Sequence, residues 1–485
     1  MTETDGKLDR IEDGYILTSS QIIEVGKYSE DKGRAIIQKH GNHLHILGNE
    51  TQNPSILDLK QINGAIIPGF VKGHGHDHES VLIGVARDVP LTTWLDEAVN
   101  IFTGLLHGDK EGSANPYFLQ LLGKSPYFVA YRKARLDDVS FGITTAVTHH
   151  CNYNKYHVKE LVEANEEAGT RLFIGVGSQD RNYDSRILDS VEEAIERLNR
   201  YEKEFGHLTR TIIIPGPDQL FSNGPELLIA LKKWATDRNK IIHIHSSEEP
   251  ATTAWFVEKY GMTPIQYADS IGFLDNKTLL AHQVNTTKED LEILSSTGAM
   301  VVHNSLANTI LGSGMPPIVE MLQKGIPVCF STDGSGSADN QNMIAAARLA
   351  SQYQKAYHKN ATLLNSEEVL KRVTIHPANM LRVNAGILEN GRNGDFIVFD
   401  LNKPQVIPTR TETVIENMIW ASTGGEIKHV IADGKVLVEN YKFKVVDFEE
   451  ILLDIQKLAL IFEKHKTSLK IRSETGVRSQ DSSDS

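Results

Sequence analysis

His74 and His76 sit two residues apart in the run VKGHGHDHES, and on an extended chain that spacing turns both imidazoles to the same side. Such a pair is a chelate. Further polar residues close other apolar runs: His243, His245, Glu248 and Glu249 in IHIHSSEE, His282 in LLAHQV and Asp333 in FSTDG. A lone histidine in an apolar run is more often a hydrogen-bonded core residue than a ligand, but several run ends carrying such groups shift the balance towards chemistry. Histidine with carboxylate is the donor set expected for zinc or iron where thiolates are absent. The chain has only Cys151 and Cys329, in no Cys-x-x-Cys pair and with no disulfide framework. Three imidazoles and one carboxylate neutralise much of a dication's charge and leave a position for water, which a bound dication acidifies towards a pKa of about 7.

The elements that must position these groups follow from the apolar pattern. Between residues 67 and 383 compact apolar runs alternate with longer amphipathic stretches, as parallel strands alternate with helical crossovers. The expected strands are AIIPGFVKGH, TTAVTHH, RLFIGVGS, TIIIPGP, KIIHIHSSE, TLLAHQV, AMVVHNS and IPVCFSTDG. Helical patterns lie between them, among them KYHVKELVEANEEAG, SVEEAIERLNRYEKEF and GPELLIALKKWATDR. The fold class expected is α/β, a (β/α)8 TIM-type barrel, whose active site lies at the C-terminal ends of its strands. Those ends carry the histidines and carboxylates.

Short β patterns flank this middle. Residues 15–66, with YILTSSQIIEV, AIIQKHGNHLHILG and QINGAIIPG, and residues 384–446, with GDFIVFD and IKHVIADGKVLVENYKFKVV, are expected to pair into one small β-sandwich domain built from both chain ends. Residues 1–14 and 467–485 read as polar tails, and 447–466 as a C-terminal helix. That helix, with Ile451, Leu452, Ile455, Leu458 and Phe462 at helical spacing, is expected to pack on the barrel or on a second subunit of a homo-oligomer rather than on a membrane.

Composition narrows the partners. With 40% hydrophobic and 23% charged residues the 485-residue chain is an ordinary globular protein, large enough for a barrel and an accessory domain. A net charge of −13, from 50 basic and 63 acidic residues, gives no general attraction for nucleic acid or anionic membranes. A small-molecule substrate is the expectation. The polar, acidic MTETDGKLDRIEDG lacks the pattern of a secretory leader, so a cytoplasmic location is expected.

At these motifs the chain resembles the amidohydrolase superfamily, in its mononuclear deaminase and chlorohydrolase branch, which includes the cytosine deaminase and the adenosylhomocysteine/methylthioadenosine deaminase types. PGFVKGHGH resembles the family's PGF-x-x-x-H-x-H, HIHSSEE its H-x-x-E, AHQV its sixth-strand A-H and STDG its metal-binding Asp. HNSLANTILGSGMPPI, LTTWLDE and the closing β segments GDFIVFD and HVIADGKVLVE extend the likeness over most of the chain. The resemblance implies metal ligation by His74, His76, His245 and Asp333, a proton shuttle at Glu248, and His282 orienting the attacking water, with Asp333 accepting that water's proton. Binuclear relatives use a carboxylated lysine at the end of the fourth strand. TIIIPGPDQLFS contains none, so one divalent ion per chain is expected, zinc first and iron as the alternative.

For substrate contacts the expected residues are His149, His150, Gly216, Asn304 and Asn308. His78 and Glu79 read as supporting or surface residues, and His243 and His303 as hydrogen-bonding at the barrel rim. Thioadenosine-type deaminases commonly carry a histidine in a P-H-x-x-Y-like fourth-strand segment. Gly216 is matched to that position here, which leads to the expectation that adenosine-type thioethers are poor substrates and that a compact heterocycle or cyclic amide is preferred. The function expected is hydrolytic deamination of a cyclic amidine such as a purine, pterin, pyrimidine or triazine. The alternatives are dechlorination or cyclic amide hydrolysis at the same site, and a metal-binding barrel without catalysis.

Overall fold

The computed structural model describes residues 2–4, 7–47 and 64–475. Eight strands of the middle region run parallel: β1 (Phe70–Lys72), β2 (Ile143–His150), β3 (Arg171–Ser178), β4 (Thr211–Pro217), β5 (Ile242–Ser246), β6 (Thr278–His282), β7 (Met300–Asn304) and β8 (Val328–Ser331). They hydrogen-bond as two four-stranded halves, β1 to β4 and β5 to β8. The halves meet where His245 N–H donates to Asp218 O at 3.2 Å, and the ring closes through the backbone of Arg372 and Val373, bonded to Phe330 and Val71. Strands walled in on both faces must be apolar or internally paired throughout, and β2 and β3 are buried at every residue.

The β domain joins the chain ends as expected. An antiparallel sheet orders its strands as Lys442–Phe443, Lys435–Glu439, Ile427–Ala432, Phe396–Asp400 and Gly64–Pro68. The hairpin of Gly14–Thr18 and Ile22–Lys27 packs on it through Ile22, Leu388, Phe396 and Ile431.

Four expectations need correction. AIIPGFVKGH is two strands rather than one: Gly64–Pro68 belongs to the β domain and Phe70–Lys72 to the barrel. The chain passes between them at Gly69, where a Cβ would lie 2.3 Å from Thr144 Oγ1. Residues Glu30–His40, at the start of the AIIQKHGNHLHILG stretch, form a helix rather than β structure. Its Ser29 cap accepts from Lys32 N, and Glu30 and Asp31 sit at the positive end of the helix dipole. Within the expected N-terminal tail, Thr2–Thr4 pairs with Lys7–Asp9 and Leu8 is buried. At the other end the helix runs Phe448–Thr475, past the expected boundary at 466. Residues 476–485 of the expected tail, and part of the 15–66 β region, lie outside the described residues.

The C-terminal helix packs on the barrel's own helices. Ile451, Leu458 and Phe462 are buried, Phe462 meets Phe102 with ring centres 5.1 Å apart, and Glu450 and Asp454 pair with Lys124 at 2.8 and 2.7 Å. Lys124 adjoins the helix Pro126–Ser140, one of the elements inserted between β1 and β2. Among the described residues no helix is long and apolar enough to cross a membrane.

Candidate active site

Hydrogen bonds fix the protonation pattern of the histidines at the C-terminal mouth of the barrel. A backbone carbonyl can only accept, so the ring nitrogen facing one carries the proton. His76 Nδ1 lies 3.0 Å from His149 O and His245 Nδ1 lies 2.6 Å from Asp218 O, so in both neutral rings Nε2 holds a bare lone pair. Those two Nε2 atoms face each other at 3.1 Å. The third ring follows through a relay: His243 Nδ1 donates to Leu279 O at 2.9 Å, so His243 Nε2 accepts from His74 Nδ1 at 2.7 Å, and His74 Nε2 is also a lone pair. It is buried without a hydrogen-bond partner.

Burial holds His74 and His76 well below the usual imidazole pKa, and the neighbouring His245 adds to the effect, so neither ring relieves the repulsion by protonation. Three converging lone pairs in a buried site fit a cation. Metal-bound histidines typically donate their second ring nitrogen to a carbonyl or another acceptor, which is the pattern here. The ligand atoms of His74, His76 and His245 lie within 4.8 Å of one another, as do those of His74, His282 and Asp333.

Asp333 Oδ1 is 3.3 Å from His74 Nε2 and 3.6 Å from His76 Nε2, while its Oδ2 is 3.8 Å from His282 Nε2. Asp333 and His282 both have positive φ, +82° and +78°, a conformation costly for residues with a Cβ. Gln341 holds Asp333 in place by donating to its carbonyl at 3.1 Å. His282 Nδ1 donates to Asn308 Oδ1 at 2.8 Å and lies 3.6 Å from Glu248 Oε1. Burial, with the nearby Asp333 charge, raises the Glu248 carboxyl to about 8, so it carries a proton at neutral pH.

His76, His245, Glu248, His282 and Asp333 line a cavity of about 40 Å³. Leu91, Leu95, Asn152, Tyr183 and Gln219 form a wall shared with an outer chamber of about 420 Å³. The cavity also gathers residues that the sequence did not single out: Trp94, Cys151, Tyr183, Asp218 and Gln219. Trp94 lies within the LTTWLDE segment, and Asp218 follows β4 directly. Glu79 is buried in the same wall, accepting from Ser337 N at 2.9 Å and Oγ at 3.0 Å, and His78 lines it as well, so neither is a surface residue.

The expected substrate contacts sit elsewhere. His149 donates through Nε2 to Pro217 O, and His150 lies 3.4 Å from Tyr131 Oη; both are fully buried and outside the cavity wall. Asn308 stands behind His282, bridging it to His303, and the Asn304 amide is 3.5 Å from His282 Nδ1. Gly216 is part of the barrel wall, where a Cβ would lie 2.5 Å from the carbonyl carbon of Gly175. The residues of this segment that line the cavity are Asp218 and Gln219, just past β4, so the reason for excluding thioethers that rested on Gly216 lapses.

Known proteins share this architecture. The model of the amidohydrolase family matches residues 65–437. A 5-methylthioadenosine/S-adenosylhomocysteine deaminase of Thermococcus sibiricus is 30% identical over 88% of this chain and 93% of its own length. One of the same name from Clostridium tetani is 29% identical over 94% and 95%. Among solved structures, a zinc-complexed atrazine chlorohydrolase from Arthrobacter aurescens superposes with TM-score 0.80 at 23% identity, covering 94% of this chain and 97% of that one. A zinc-bound adenosine deaminase from Xanthomonas campestris gives 0.77 at 18%, covering 94% of both. The sequence matches over most of its length, and the shared barrel with its β domain, show that this chain belongs to the amidohydrolase family.

Proposed function

We propose that this protein is a hydrolase that removes an amino group from a small nitrogen heterocycle, using one divalent ion, zinc in the first instance, held by His74, His76, His245 and Asp333. The observation that carries the reading is the set of three Nε2 lone pairs, fixed by their hydrogen bonds and converging beside a carboxylate. The deaminase names of the relatives matched over most of the chain support the reaction class, and the absence of lysine from β4 supports a single ion.

A divalent ion in such a shell supplies Lewis-acid activation of water. The protein does the rest. Asp333 takes the proton released as water adds to the amine-bearing carbon, its carboxylate lying 3.3 Å from His74 Nε2 and 3.6 Å from His76 Nε2. His282, neutral and oriented by Asn308, presents its Nε2 lone pair to that water and keeps it in line. Glu248 gives its proton to the adjacent ring nitrogen, then takes the proton of the new hydroxyl as the carbonyl forms and passes it to the departing amine, and the proton held by Asp333 restores Glu248, so that the ring carbon gains oxygen and ammonia leaves.

The test is a panel of heterocyclic amines incubated with zinc-replete protein, with ammonia detected and chloride followed for chlorinated analogues. Ammonia release that chelation abolishes and zinc restores is expected. Activity indifferent to chelation, or chloride released without any ammonia, overturns the reading.

A further inference from the structure

In the short segment after His76, three of four side chains are committed within the protein. Asp77 receives Arg135 through both carboxylate oxygens at 2.6 and 2.8 Å, Glu79 accepts from Ser337, and Ser80 Oγ donates to Ala130 O at 2.6 Å. His78 is the exception. It is 1% exposed and lines the inner cavity, and its Nδ1 is buried without a hydrogen-bond partner. No partner at that nitrogen fixes the tautomer, so the ring is able to turn an N–H towards a ligand.

The same wall holds Trp94, 2% exposed, whose indole N–H is also buried and unpaired. It ends the helix Leu91–Trp94, and the chain continues as a π-helical turn, Leu95–Val99, of the kind often found beside functional sites. The acidic groups of the wall do not wait for a donor: Glu79 has Ser337, and Asp218 has hydrogen bonds from Tyr183 and Cys151. Trp94 does lack an acceptor. A buried N–H without one is costly, so the site gains most from a ligand that supplies it. A carbonyl oxygen, with two lone pairs, is able to accept from Trp94 and His78 together, whereas an unprotonated ring nitrogen has only one lone pair to give.

We infer that Trp94 and His78 form a specificity-determining edge that donates to a carbonyl oxygen of the substrate ring, so that the enzyme selects amino heterocycles carrying an oxo group over the same rings without it. This rests on the deaminase reading and adds the substrate class to it. Aminopyrimidinones and oxopurines fit; adenine, which has no oxo group, fits poorly. Discrimination of this kind is strong because the wrong ligand leaves a buried donor unpaired.

The experiment uses zinc-loaded wild-type enzyme, Trp94→Phe and His78→Leu, with three pairs of probes that differ by the oxo group: cytosine and 4-aminopyrimidine, isoguanine and adenine, guanine and 2-aminopurine. Turnover is read as ammonia release and binding by calorimetry, with zinc content and thermal unfolding measured for each variant. The wild type is expected to favour the oxo member of at least one pair by roughly 10- to 100-fold, the range for a buried donor left unpaired. In Trp94→Phe that ratio falls to within about 3-fold, His78→Leu lies between, and zinc content is unchanged. Oxo-selective binding that Trp94→Phe removes, without any ammonia release, supports the inference and counts against deamination. The inference is overturned by an unchanged ratio in either variant, by a wild type that does not discriminate or binds none of the probes, or by selectivity lost only in step with zinc. If Trp94→Phe does not fold, the ratio in His78→Leu decides in the same two directions.

Discussion

Two buried polar clusters lie on either side of Gly73 in the first barrel strand's exit, and they are built on opposite principles. Lys72, Asp138, Arg135 and Asp77 form a chain of alternating cations and anions: Lys72 Nζ is 2.8 Å from Asp138 Oδ1, Arg135 is 2.7 Å from Asp138 Oδ2, and Arg135 Nε donates to Asp77 Oδ2 at 2.6 Å. His74, His76 and His245 instead turn lone pairs towards one another, with Asp333 the nearest charge. In the first cluster every charge has an opposite charge beside it within the protein. The second leaves the His74 Nε2 lone pair buried without a hydrogen-bond partner, a group that could hold a metal ion. A buried polar network left open in this way costs stability, and that cost marks where the function lies.

The contrast is sharpest in activity. Asp333→Ala should remove the ion and lower turnover by roughly 10³-fold or more, since an incomplete shell supports neither binding nor activation. Full turnover with metal retained would make the open cluster an ordinary core feature. Acid tests the buried histidines that surround this cluster in the metal-free protein. Burial holds His78, His150, His243 and His303 each at about 3, below the 6.5 of an exposed imidazole. The unfolded chain therefore binds protons between those limits that the fold refuses, so this stability is present above about pH 6.5 and lost as pH falls. Four such groups give a slope of up to roughly 5 kcal/mol per pH unit near pH 5, measurable by urea unfolding across pH. A flat profile would contradict neutral, buried rings.

The ion-paired chain predicts the complementary outcome. Lys72→Met leaves the buried Asp138 and Asp77 sharing Arg135 alone and should cost about 3–5 kcal/mol in unfolding free energy while the folded protein keeps its metal. Metal loss without a stability loss would reverse the roles assigned to the two clusters. A smaller effect is expected at Glu248→Gln, which retains the metal and the fold but loses about 10²-fold in turnover, because the amide cannot relay protons. Near-normal turnover would remove Glu248 from the chemistry.

The ligand cluster was legible in the sequence because each of its members closes a strand, and a parallel barrel brings all strand ends to one face. His74, His76, His245, His282 and Asp333 needed only that topology to meet. The substrate face was less legible. His149 and Gly216 lie inside strands β2 and β4, where alternation and neighbour spacing decide which way a residue faces, and Asn304 and Asn308 serve His282 from behind. Trp94, Tyr183 and Asp218 come from loops and an inserted helical segment, whose return over the barrel mouth is set by tertiary packing. Asp218 carried one signal: a charged residue immediately past the end of β4, as Asp333 stands just past the end of β8. The split of AIIPGFVKGH at Gly69 was hidden because an unbroken apolar run looks the same whether it serves one sheet or two.

The central claim is that the imidazoles of His74, His76 and His245 converge in order to hold a metal ion with Asp333. Elemental analysis of the purified wild-type protein beside His245→Ala, each dialysed after exposure to zinc, tests it most directly. One ion per chain in the wild type and well below one in the variant is the predicted result; two ions per wild-type chain, or an undiminished ion in His245→Ala, would contradict it.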